Sequence, residues 1–101
     1  MASGSNGPAG FSAFNINATI AGQQLRAGVY GMDVHATFGG GTVTLDKLAF
    51  NGGQFGTTWV PVLTFSADGY QTALLGPGTY RFGVTTATGV YAVISRIPYG
   101  D

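Results

Sequence analysis

The sequence predicts an all-β domain, a seven- to eight-stranded antiparallel sandwich or jelly-roll-like barrel. Three observations lead there. Apolar residues recur with a period of two, as in Tyr30, Met32, Val34, Ala36 and Phe38 alternating with Gly31, Asp33, His35 and Thr37. Turn-forming residues punctuate the chain at short intervals, roughly every eight to twelve positions. No longer segment keeps the helical period.

Each element is justified in order along the chain. Met1 to Ala13 is small, uncharged and rich in Gly, Ser and Ala, and reads as a flexible N-terminal arm over residues 1–13, with the β domain taking 14–101. Phe11 is the arm's one large side chain and its expected anchor on a partner; fully extended, the arm reaches on the order of 40 Å. Phe14, Ile16, Ala18 and Ile20 alternate with Asn15, Asn17, Thr19 and Ala21, which predicts a half-buried strand, and Ala21 to Gln24 reads as a polar turn. The run Leu25 to Phe38 changes its apolar parity around Gly28 and Gly31, as two strands do, or one strand crossing between sheets. Gly39 to Gly41 predicts a turn tolerant of positive φ.

Thr42 to Phe50 shifts phase at Asp46-Lys47, where a bulge or break is expected. Asn51 to Gly56 reads as a loop with Phe55 as its apolar residue. Thr57 to Phe65 is apolar on both faces, and Pro61, with no N–H to give, places it at an edge or a bulge. Asp68-Gly69 tips a turn before Tyr70 to Leu75, and Gly76-Pro77-Gly78 is the strongest turn signal in the chain. Thr79 to Thr85 points Tyr80, Phe82 and Val84 inward. Val90 to Ile97, nearly all apolar, is the expected central strand, and Pro98 ends it.

Composition limits the chemistry. Charged residues are 8% of the chain against a usual value of about 25%, and net charge is zero. A surface so poor in charge favours association. Four scattered cations make no phosphate-binding stripe, so nucleic acid is not an expected partner. No apolar run approaches the roughly 20 residues of a membrane helix, and no leader pattern opens the chain. Without cysteine there is no disulfide or thiolate chemistry. Asp33 and His35 share a strand face and form a candidate acid/base pair or half of a metal site. One His and no Cys do not supply a zinc set, so the expected reading is a surface pair. Asp46 and Asp68 fall at a bulge and a turn, where Asp bonds nearby backbone. No catalytic residue, cofactor or metal is expected. Among the aromatics, Trp59, Phe65, Tyr70, Tyr80 and Tyr91 fall at apolar parity and are assigned to the core. Tyr30, Phe55 and Tyr99 join Phe11 and Phe14 as the expected contact residues.

Gly41 to Leu45 (GTVTL), Ala67 to Tyr70 (ADGY), Pro77 to Arg81 (PGTYR) and Val90 to Pro98 (VYAVISRIP) stand in an order that resembles small virion proteins of tailed bacteriophages. The likeness spans the C-terminal half. It implies a capsid decoration (cement) protein at the virion surface, made in the host cytoplasm. The implied partners are the major capsid protein and further copies of itself, with a trimer as the expected oligomer. The alternative is a carbohydrate-binding or adhesion module of a tail or fibre, which needs two exposed aromatics on one face.

Overall fold

The computed structural model describes residues 10–51 and 54–97. Eight strands account for most of them: β1 (Gly10–Ile16), β2 (Gln23–Leu25), β3 (Gly28–Thr37), β4 (Thr42–Asn51), β5 (Gln54–Phe65), β6 (Gly69–Leu75), β7 (Gly78–Thr85) and β8 (Thr88–Arg96). All pairs are antiparallel. β1 pairs with β8, β2 with β7, β3 with β6 and β4 with β5, so the chain is one nested ribbon. The ribbon is folded over so that β8 also meets β3 and β7 also meets β4. Two four-stranded sheets result, in the orders β1-β8-β3-β6 and β2-β7-β4-β5. That wrapped ribbon is the jelly-roll arrangement of a β-sandwich.

The parity change read around Gly28 is the crossing between sheets. β2 ends in the second sheet at Leu25, Arg26 and Ala27 turn the corner, and β3 begins in the first. Inward positions of both sheets then form one core, led by Tyr30, Met32, Val43, Leu45, Tyr80, Phe82, Val90 and Ile94. Phe11 from the first sheet meets Phe82 from the second with ring centroids 4.6 Å apart. Tyr30 and Tyr80 are fully buried up to their hydroxyls, which donate to the carbonyls of Arg26 (2.6 Å) and Gly76 (2.7 Å). Each tyrosine thereby ties its strand to the turn before it. Burial raises both phenol pKa values, and each hydroxyl stays protonated more firmly than in water.

Register shifts interrupt both sheets, and two of them re-aim side chains. Ala13 pairs with Ala92 but Ile16 with Val90, so β1 carries an extra residue there. Asn15 sits at φ 57°, a left-handed conformation that Asn tolerates. Leu45 pairs with Leu63 and Asp46 with Pro61, which leaves Val62 as the bulged residue of the edge strand β5. Pro61 thus sits at both an edge and a bulge. Gly39 and Gly40, at φ 57° and 85°, close the β3–β4 turn, where the Gly41 amide donates to Phe38 O at 2.8 Å.

The strand boundaries correct several expectations. Gly10 to Ala13 belong to β1, so the last four residues of the stretch read as an arm are strand; residues 1–9 lie outside the described set. β1 ends at Ile16, and the stretch to Gly22 is no strand. It is pinned instead by side chains: Asn17 Oδ1 accepts from the Gly89 amide (2.8 Å) and Thr19 Oγ from the Val84 amide (2.9 Å). β5 opens at Gln54, within the segment read as loop.

Candidate functional site

Among the described residues, the exposed rings gather on the open side of the first sheet. On β1, Phe11 and Ala13 point in, so Phe14 points out beside the bulge, and it is 65% exposed. On β8, Val90, Ala92 and Ile94 point in, so Tyr91 points out and is 45% exposed. His35 pairs with Tyr91 across the β3–β8 ladder. Phe14, Tyr91 and His35 form a row, with 6.3 Å between neighbouring ring centroids. Beyond it on β6 stand Tyr70, 59% exposed, and Leu74, 80% exposed.

His35 ends the row in a fixed orientation. Its Nδ1 lies 2.6 Å from Asp68 Oδ2, and the Ala36 amide donates to Asp68 Oδ1 at 3.0 Å. That amide bond, then the His35 hydrogen bond, holds the Asp68 carboxyl below its ordinary pKa. With Nδ1 donating to a carboxylate, Nε2 is the nitrogen left to face solvent. Asp33 shares this face, as its parity with His35 required, yet the partner of His35 is Asp68 in the β5–β6 turn. Among the described residues, no hydroxyl is hydrogen-bonded to His35, and no group of three or more His, Cys, Asp and Glu could hold a metal ion.

The second sheet's outer side is closed by its own contacts. Asp46, nearly buried, accepts from Thr44 Oγ (2.7 Å) and from Arg81 Nε (3.2 Å). The Arg81 guanidinium lies 4.4 Å from the Trp59 ring centroid, so it covers that ring. Gly83 makes the site possible, since a Cβ there would lie 2.5 Å from both Thr44 Oγ and Asp46 Oδ2.

The expected contact residues divide accordingly. Phe14 is exposed and sits in the row. Tyr30 is buried in the core and donates inward, so it is no surface contact. Phe11 packs partly buried on Phe82 and anchors β1 to the core. Phe55 lies in β5 opposite Phe50, with its side chain outside the described set, and Tyr99 lies outside it altogether. Tyr91 and Tyr70, assigned to the core from sequence, are outward, whereas Phe65 and Tyr80 are core. Tyr70 had a legible signal: it shares parity with Thr72, while Ala73 and Leu75 hold the inward positions. Comparison with protein-family models, with curated proteins and with solved structures finds no match to this chain.

Proposed function

We propose that this chain is a non-enzymatic structural module of a virion, which binds and stabilises a capsid lattice as a symmetric oligomer. The observation that carries the reading is the exposed row Phe14–Tyr91–His35, extended by Tyr70 and Leu74, on one sheet face. Exposed apolar patches of this kind mark interaction surfaces. The low charge supports the same reading, and jelly rolls serve in viral capsid proteins, although a fold does not fix a function. The resemblance of the C-terminal half to phage virion proteins supplies the partner, the major capsid protein, and a trimer as the oligomer. Many copies on a lattice let weak contacts add through avidity.

Co-sedimentation with empty mature capsids tests the proposal, together with analytical ultracentrifugation of the free protein. Wild-type protein should sediment as an oligomer and pellet with capsids, and Phe14→Ser/Tyr91→Ser should lose the pellet fraction. A monomer indifferent to capsids ends the reading. A second reading, carbohydrate binding, is favoured by one observation: the aromatic row ends in an imidazole and a carboxylate, the groups that pair stacking with hydrogen bonding. A glycan array with a Tyr91→Ala control separates the two.

A further inference from the structure

Asp33 and Tyr70 face each other in the β3–β6 ladder on the open side of the first sheet. The Tyr70 ring leans diagonally across Gly31, two positions before Asp33. A Cβ on Gly31 would lie 2.6 Å from Tyr70 Cζ, so only glycine leaves the ring that place. The ring rests on the sheet and still keeps most of its surface in solvent, beside a carboxylate. Asp33 makes no ion pair among the described residues.

The opposite sheet shows the same combination with its cation in place. There Arg81 stacks on Trp59 and donates to Asp46, filling the gap between ring and carboxylate. The first sheet presents ring and carboxylate without the guanidinium. Among the described residues no Lys or Arg side chain stands at that position. Of its four Lys and Arg residues, Arg81 is committed to the second sheet, and Lys47 and Arg96 pair in register with the buried Tyr80 and Tyr30. Arg26 stands at the corner between sheets with its Nε buried. Segments 1–9, 52–53 and 98–101 contain no Lys or Arg. Two carboxylates, Asp33 and Asp68, stand on or beside the open face, and no strand projects a Lys or Arg onto it.

We infer that Tyr70 and Asp33 form a seat for an arginine side chain of a partner protein. The guanidinium stacks on the Tyr70 ring and donates to the Asp33 carboxylate, while Tyr91 and Phe14 receive apolar neighbours of that arginine. Arginine fits better than lysine because it is planar and presents a fork of donors. The inference rests on the reading of the chain as a binding module and names the partner's chemistry: a basic segment with apolar flanks.

The test is a two-dimensional NMR titration of the full chain with a blocked Gly-Arg-Gly-Arg-Gly peptide and with matched lysine and citrulline peptides. Shifts should cluster at Gly31 to Asp33 and Gly69 to Thr72. Citrulline, which keeps the shape and loses the charge, should abolish them. Asp33→Asn and Tyr70→Ala should each weaken binding by about three- to tenfold, with unchanged circular dichroism. Val62→Thr, on the other sheet, should change nothing. Equal binding of the arginine and citrulline peptides, or shifts elsewhere, overturns the seat. So does glycan binding in place of peptide binding. Concentration-dependent shifts without peptide, abolished by Asp33→Asn, would move the arginine to a second copy and overturn the assignment to a different partner. Capsid co-sedimentation is read separately. If capsid binding survives both substitutions, the seat falls and the lattice reading stands; if the peptide binds and capsids do not, the reverse holds.

Discussion

At the scale of single residues, polar groups decide as much as core volume does. Tyr30 and Tyr80 are buried phenols whose raised pKa values link folding to alkaline pH. In the unfolded chain each ionises near about 10, whereas the folded state holds its proton to higher pH. Their contribution is therefore fully present below about 10 and is lost as pH rises through the folded values. Absorbance at the tyrosinate band, followed with circular dichroism, should show these two ionising together with unfolding. Asp68 works in the opposite sense. Its lowered pKa makes the His35–Ala36 tether stabilising above the ordinary carboxylate range and lost as pH falls through the folded value. Asp68→Asn should flatten the acid limb of the stability profile in urea titrations from pH 6 downward. In the core, Phe82→Ala removes a ring packed on Phe11 and should cost about 3–5 kcal/mol in chemical denaturation.

At the scale of elements, the period-two pattern carries the strands but not their defects. Alternation placed Tyr30 on the same parity as Met32 and Val34, and it is buried with them; treating it as a contact residue set that pattern aside. Phe14 alternates with the inward Phe11 and Ala13 and so points out, whereas Ile16, at the same parity as Phe14, packs on the core because of the bulge around Asn15. The segment from Asn17 to Ile20 looks like a strand because Ala18 and Ile20 are apolar, but its backbone is held by Asn17 and Thr19 side chains. At Asp46 and Pro61 the signals were explicit, since a charge breaks the apolar phase and a proline lacks a donor. The edge strand β5 exposes Val60 and Val62 beside that proline. Unpaired edges with exposed β-branched residues invite pairing with other chains, and a proline blocks it. Pro61→Thr should therefore raise aggregation on heating, read as turbidity and as loss of reversible refolding, even where the midpoint temperature barely moves.

At the scale of the whole molecule, the nested ribbon binds the ends of the domain together. Only β4 and β5 are neighbours in both sequence and sheet; every other pairing joins strands that the chain separates. Such topologies close long loops before they gain contacts, and fold in roughly milliseconds to seconds. β1 comes first in the chain, yet it covers one edge of β8, the penultimate position of its sheet, and brings Phe11 and Ala13 to the core. The N-terminal stretch therefore has two parts with different consequences. A sequence reading that runs one arm through Ala13 makes its removal a test of partner binding alone. With Gly10 to Ala13 in β1, removing residues 1–13 also strips the Phe11 ring from Phe82 and uncovers the β8 backbone. That truncation should lower the midpoint of thermal unfolding well beyond the effect of removing residues 1–9, and should speed unfolding in stopped-flow denaturation. Capsid binding is then a clean readout only for the shorter truncation. Equal midpoints for the two truncations would mean that β1 adds nothing to the sandwich, against the register that ties it to β8.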